Sequence, residues 1–488
     1  MTYWRIIITL LAGALLPLAF SPFNIYSFAF FAPAFLLYFW LRSTPKAAML
    51  LGFIFGLGFF GVGISWVYIS IHYFGNASPL LAGVMTFLVV AIMSLHFVIF
   101  GYLFRKLFQN KSELTQCLLA FPALWLVMEL INTAILGFPW LLLGYSQITN
   151  PLRGLAPIVG VYGLSLCVAM ISGALVLLST KKAFKTHAIA FVAVIFIVGT
   201  GIAFKDHAWT KPAGQSFKAS LLQGNIPQSI KWDPKHALEN INVYKELTIA
   251  NWGSKLIVWP EGALPVTAEE VPEFMNQLSD TAEKHHATII LGAPSENKKT
   301  KQYYNAIFML GKYKGKYLKR HLVPYGEYMP MGFIMKPIAK MFNLDMFDLS
   351  HGPEKQAPLK FNGISIAPFI CYEITFPQLV LNSSEDSQIL LAVSDDSWFG
   401  KSLALTQQLQ MSQMRALETG RYILVATNTG ITAFISPLGK IIKDAPINKR
   451  LAITDNVTPM DGKTPLMVWH YYPVFILMGI MLLLSLFI

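Results

Sequence analysis

The chain carries eight apolar runs, each close to the length needed to cross a bilayer, and this constrains its fold more than any other feature. Seven lie near 5–20, 24–41, 50–70, 81–104, 114–134, 158–179 and 187–204, and the eighth covers 468–488. A spanning helix needs about 20 mainly apolar residues. The first run is short enough to be mistaken for a signal peptide. However, Leu16-Pro17-Leu18 offers no small-residue cleavage site, and a second run follows at once, so it reads as a span. Only 13% of the residues are charged, against roughly 25% in an average soluble domain. The expected membrane part is a polytopic α-helical domain of about eight spans.

Charge sets the orientation. Ten basic residues and two acids, Glu113 and Glu129, precede Lys205, whereas 28 basic residues and 24 acids make up the remainder. The net +12 thus divides into +8 and +4. Arg42 and Lys46 share one turn, Arg105, Lys106 and Lys111 a second, and Lys181, Lys182 and Lys185 a third. These turns alternate with connections whose only basic residue is Arg153. Basic turns stay on the cytoplasmic side. The seventh run then exits outward and the eighth returns. The expected organisation is a seven-helix transmembrane domain over 1–204, a periplasmic domain over 205–467 and a C-terminal transmembrane helix over 468–488, in a bacterial inner membrane. A charge of +4 spread over the polar domain lacks the concentrated basic patch that nucleic-acid binding requires.

The polar domain alternates short apolar strands with helical stretches. Strands are expected at Ala219-Leu222, Leu256-Trp259, Thr288-Leu291, Asn305-Leu310, Ile364-Phe369, Ile389-Val393, Tyr422-Thr427 and Ala433-Ser436, with helices over 234–251, 270–286 and 403–419. Interleaving of this kind indicates an α/β layered domain. Of three cysteines, Cys117 and Cys167 lie in apolar runs and only Cys371 in the polar domain. One thiol builds no disulfide framework. It is either a small buried hydrophobe or a reactive group.

Three short blocks lie beside expected strands: Val258-Trp259-Pro260-Glu261-Gly262, Lys319-Arg320-His321-Leu322-Val323-Pro324-Tyr325-Gly326-Glu327, and Phe369-Ile370-Cys371-Tyr372-Glu373. Strand ends are where α/β folds gather reactive groups. Singly, each block has an ordinary reading. Glu261 reads as a solvated loop acid, Lys319 as one more member of the run Lys312, Lys314, Lys316, and Cys371 as strand packing. No Gly-rich phosphate loop or metal-ligand spacing is present, and the adjacent His285 and His286 diverge on a helix.

Taken together the blocks resemble the nitrilase superfamily, and more closely the apolipoprotein N-acyltransferases. The resemblance covers nearly the whole chain and extends to Gln223-Gly224-Asn225-Ile226-Pro227-Gln228, Trp232, Tyr304-Asn305, Ser394-Asp395-Asp396-Ser397-Trp398-Phe399-Gly400 and Ala426-Thr427-Asn428-Thr429-Gly430. It implies a nitrilase-like αββα sandwich and a catalytic triad of Cys371 as nucleophile, Glu261 as general base and Lys319 as oxyanion-stabilising cation. The allocation is chemically coherent. A thiol of pKa about 8.5 needs an adjacent base at neutral pH, and a fixed ammonium with a backbone N–H, here that of Tyr372, stabilises a tetrahedral oxyanion. Glu327 and Glu373 are similar to the family's supporting acids.

The resemblance further implies the reaction: a phospholipid acylates Cys371, and the thioester is passed to the α-amine of a diacylglyceryl apolipoprotein, without cofactor or metal. Both substrates are lipids, so Trp232, Asn305, Trp398 and Phe399 are expected to contact them. Phe333 and Ile334 are expected to do so within the apolar stretch from Tyr328 through Met335 to Met341, Phe342 and Met346. A membrane-tethered amidase using water as acceptor would share every catalytic residue. A transporter reading is weaker, since Glu129 alone lies clearly inside a span. Two positions depart from the family pattern: Val425 stands where an Arg is usual, and Asp395 begins a loop that usually begins with Asn.

Overall fold

The computed structural model describes residues 3–180, 183–329 and 348–488, and forms two compact units. One comprises Met1–Trp209, Lys401–Glu418 and Thr464–Ile488, and the other Thr210–Gly400 and Thr419–Lys463.

The first unit is helical. Five of its described helical stretches are long and apolar enough to cross a membrane: Pro45–Gly63, Pro79–Phe108, Glu113–Ala134, Pro151–Leu178 and Phe184–Phe204. The other three apolar runs form the shorter stretches Tyr3–Ala19, Ser27–Trp40 and Tyr472–Phe487, so length alone supports five spans rather than eight. The helix starts are encoded locally. Thr44 and Ser78 accept hydrogen bonds from Ala47 N and Leu81 N, and each precedes a proline in the first helical turn. Gly13, Gly52 and Gly173 face the carbonyls of Phe55, Phe97 and Cys117 so closely that a Cβ would clash. Small residues therefore set the helix spacing, as they do in membrane bundles. Arg105 ties two of the basic turns together, donating from Nε to Ser43 O (2.9 Å) and from Nη1 to Gln116 Oε1 (2.9 Å).

The helix Leu403–Thr419 has the expected extent, and nearly all of it clusters with this first unit. Its polar side chains are consumed there. Gln407 accepts from Trp140 Nε1 (2.7 Å) and donates to Gly63 O (3.1 Å). Glu418 accepts from Val161 N (2.7 Å) and Tyr471 OH (3.0 Å) and pairs with Arg415 (3.1 Å).

The second unit is a sandwich of two six-stranded sheets. In spatial order the first holds Leu451–Val457, Phe217–Gln223, Leu256–Val258, Thr288–Asn297, Gln302–Gly311 and Gly315–Leu318. The second holds Ile441–Asp444, Ala433–Ile435, Tyr422–Thr427, Ile389–Ser394, Ile364–Ile370 and Leu359–Phe361. The three strands from Phe217, Leu256 and Thr288 run parallel, as do those from Ile364, Ile389 and Tyr422. Alternation decides what each face covers. Leu221, Val258 and Ile290 meet Ile366, Ile370, Leu391 and Leu424 between the sheets. Their neighbours Leu222, Ile257, Ile289 and Leu291 face Tyr244, Met275, Leu278 and Ala282 of the helices Ala237–Ile249 and Pro272–Lys284. All eight expected strands are present. The strands at 315, 359, 441 and 451 were not anticipated, because their lysines, Asp and Asn obscure the apolar signal.

Candidate active site

Three strand ends deliver the expected site residues Glu261, Lys319 and Cys371, all within the second unit. Leu256–Val258 leads through Trp259 and Pro260 to Glu261. Trp259 anchors that exit: it is fully buried, stacks on Tyr244 at 5.2 Å and donates from Nε1 to Thr248 Oγ1 (2.9 Å). Ile364–Ile370 runs straight into Cys371, whose φ of +52° lies in the left-handed region. A non-glycine residue held there is strained and must be fixed by its surroundings.

Lys319 follows the strand Gly315–Leu318 and is 1% exposed, unlike the solvated lysines expected of that run. Its ammonium lies 2.8 Å from Glu327 Oε1 and 3.5 Å from Glu261 Oε1. Asn305 Nδ2 donates to the same two oxygens, at 2.6 Å to Glu261 and 3.0 Å to Glu327. Glu327 Oε2 accepts from Val323 N (2.8 Å), and Glu261 Oε2 from Asp395 N (2.9 Å). The two carboxylates, one amide and one ammonium thus form a closed network.

Glu373 is fully buried and fastens the cysteine turn to the lysine segment. Its carboxylate accepts from Ile370 N (2.8 Å), Arg320 N (2.7 Å), His321 N (3.1 Å) and Tyr317 OH (2.9 Å).

Electrostatics match the geometry. Burial, reinforced by the charge of Glu261, pushes the Cys371 thiol well up, while the nearby Lys319 ammonium pulls the other way. Burial alone would lower Lys319, but Glu327 and Glu261 raise it above an ordinary lysine. The resting site is therefore a neutral thiol beside a permanent cation. Asp396 is pushed up to about 7, chiefly by burial and against a hydrogen bond from Ser394. His321 is lowered to about 4 by burial, with His351 and Lys319 adding to it.

Of the expected substrate contacts, Trp232 is 40% exposed and lies over Gly262, next to Glu261. Trp398 is exposed and Phe399 half-buried. The amide nitrogen of Asn305 is spent on the two carboxylates. Phe333, Ile334, Met335, Met341, Phe342 and Met346 lie outside the described residues. Tyr372 directly follows Cys371 within the turn Cys371–Thr375. Val425 is buried in its strand. Among the described residues no cluster of three or more metal-ligating side chains occurs.

Sequence reasoning missed Lys231. It is 1% exposed, 2.9 Å from Asp395 Oδ2, and donates to Glu261 O at 3.0 Å. Its only sequence signal was its position beside Trp232. The Asp395 carboxylate, noted only as a departure, also accepts from Ser397 Oγ (2.7 Å) and Asn428 Nδ2 (2.9 Å).

A Glu–Lys–Cys constellation at the strand ends of a double-sheet sandwich defines a carbon–nitrogen hydrolase type of domain, and residues 218–458 match the carbon-nitrogen hydrolase family model. Residues 12–174 match the model of the apolipoprotein N-acyltransferase N-terminal domain. An apolipoprotein N-acyltransferase of Coxiella burnetii is 47% identical over 98% of this chain and 99% of its own length. Those of Pseudomonas paraeruginosa and Azotobacter vinelandii are 38% and 39% identical, over 98% and 96% of this chain and 94% and 92% of theirs. The chain belongs to the apolipoprotein N-acyltransferase family.

Proposed function

We propose that the chain transfers a fatty acyl group from a membrane phospholipid to the N-terminal α-amine of diacylglyceryl apolipoproteins, through a thioester on Cys371. It is an acyltransferase and a membrane protein. The observation that carries the mechanism is the enclosed cation beside a neutral thiol: Lys319 held between Glu327 and Glu261, with Cys371 raised by burial.

A thiol held neutral is deprotonated only as it attacks. Glu261 takes the Cys371 proton while sulfur adds to the ester carbonyl, and Lys319 with the Tyr372 N–H stabilises the oxyanion. The ester C–O bond breaks, Glu261 returns the proton to the leaving alkoxide, and a lysophospholipid departs. In the second half the amine adds to the thioester and gives its proton to Glu261. The C–S bond breaks, and the thiolate recovers that proton as the amide leaves. Glu327 and Asn305 hold Lys319 and Glu261 in register, and Glu373 holds the turn that presents Cys371. Trp232, Trp398 and Phe399 are the apolar groups we assign to the lipid chains.

The basic turns at 42–46, 105–111 and 181–185 support an inner-membrane topology with residues 205–467 on the periplasmic face and with 1–204 and 468–488 in the membrane. The test is intact mass measurement after incubation with phospholipid alone. A mass gain of one acyl group on Cys371, discharged on adding a diacylglyceryl peptide with appearance of the acylated amine, is expected. Release of free fatty acid at the same rate with and without peptide would instead make the protein a hydrolase.

A further inference from the structure

We propose that the buried Lys231–Asp395 ion pair is the positioning device for Glu261, an inference that rests on the general-base reading of that residue. Lys231 closes the short helix Gln228–Lys231, where Asn240 Nδ2 caps the carbonyls of Ile230 (3.1 Å) and Lys231 (3.2 Å). Its ammonium reaches inward to Glu261 O (3.0 Å) and to Asp395 Oδ2 (2.9 Å). Asp395 in turn donates its backbone N–H to Glu261 Oε2 (2.9 Å). The same pair therefore grips Glu261 at both ends, by its carbonyl and by its carboxylate.

The grip is itself anchored. Asn428 Nδ2 donates to Asp395 Oδ1 (2.9 Å) and to Ile226 O (2.8 Å), and Asn428 Oδ1 accepts from Ile226 N (3.0 Å) and Tyr244 OH (3.2 Å). Gly262 leaves the room: a Cβ there would sit 3.1 Å from Lys231 Nζ and 3.2 Å from the Trp232 ring. Lys231 touches no reacting atom, so it positions rather than catalyses.

Removing the lysine alone takes the counter-charge from the buried Asp395 side chain. The charged and titratable groups around Glu261 are then Lys319 at 3.5 Å, Asp395, which reaches it through its backbone N–H, Asp396 and the Cys371 thiol, with Glu327 joined through Asn305. The acid limb of the pH profile for thioester formation should move up by about one pH unit. Neutralising both partners should return the limb to its wild-type position, yet leave thioester formation roughly tenfold slow, because Glu261 O has still lost its donor.

The experiment measures Cys371 thioester formation by intact mass across pH 5–9 in full-length wild type, Lys231→Met, Lys231→Met/Asp395→Asn and Glu261→Gln, with phosphatidylethanolamine in detergent micelles (on the order of the donor concentration that saturates wild type). Rates are expressed per molecule that unfolds cooperatively on heating. A raised limb in the single variant and a restored limb with residual slowness in the double variant are expected. A merely structural role predicts lower thermal stability with an unmoved limb and an unchanged rate per folded molecule, and that result overturns the proposal while Glu261→Gln remains inactive. If Lys231→Met does not fold, the double variant decides, and a wild-type rate there overturns the proposal. An active Glu261→Gln overturns the base assignment instead.

Discussion

Glu373 supplies the sharpest test of how the site is held. Its carboxylate accepts from three backbone N–H groups, those of Ile370, Arg320 and His321, and from Tyr317 OH. Glu373→Ala leaves the three N–H groups without an acceptor in a buried site. Each such loss costs about 1–3 kcal/mol, a range of about 3–9 kcal/mol in all. Burial opposes ionisation of this acid and raises its pKa, so deleting the charge recovers part of that. The net expectation is a loss of about 4 kcal/mol, which lowers the melting temperature by about 8–16 °C for a unit of this size. Glu373→Gln separates stability from catalysis. Its carbonyl oxygen still serves Arg320 N and His321 N, but its NH₂ now meets Ile370 N–H donor to donor, immediately before the strained Cys371. The Gln variant should lose only about 2 kcal/mol, yet form thioester about a hundredfold more slowly, because the Cys371 thiol is no longer fixed to better than about 1 Å. Thermal unfolding in detergent and intact-mass detection of acyl-enzyme measure the two quantities on the same sample. Thioester formation within twofold of wild type in Glu373→Gln would refute the clamp.

Other outcomes follow from the same geometry. Cys371→Ala should abolish both thioester formation and transfer while membrane insertion persists, and Cys371→Ser should be nearly inactive, since a hydroxyl is far harder to ionise; turnover by the Ala variant in a product assay would remove the nucleophile assignment. Lys319→Met should slow thioester formation by about 10²–10³, the usual loss for one oxyanion donor, as read by single-turnover mass spectrometry. His321, with its pKa lowered to about 4 mainly by burial, stays neutral when folded but charges when unfolded below about 6.5. Its contribution is complete above that pH and is lost as pH falls towards 4, with a slope of up to about 1.4 kcal/mol per pH unit; a His321→Phe variant should flatten the acid side of the stability curve. For topology, a cysteine replacing exposed Lys299 should react with an impermeant reagent from outside the inner membrane, whereas one replacing exposed Asn110 should react only after permeabilisation, both in a Cys371→Ala background.

Local signals were legible in the sequence because they are written in consecutive residues. Apolar runs located the helices from Pro45–Gly63 to Phe184–Phe204, and short β-branched stretches located the strands ending at Val258, Ile370 and Ser394. The abrupt change from strand to Pro260-Glu261 and to Cys371 marked both strand exits, and the block ending in Glu327 marked the third part of the site. Tertiary structure alone decided what those residues meet. Lys231 and Lys319 look like any solvated lysine, and their burial follows from carboxylates 164 and 8 positions away, at Asp395 and Glu327. The polar helix Leu403–Thr419 belongs by composition with the α/β domain, yet it clusters with the apolar unit, because Trp140, Gly63, Val161 and Tyr471 supply partners for Gln407 and Glu418. Hydropathy is a property of each segment and survives in one dimension, whereas the partner that makes a buried charge tolerable comes from a distant segment and exists only once the chain has folded.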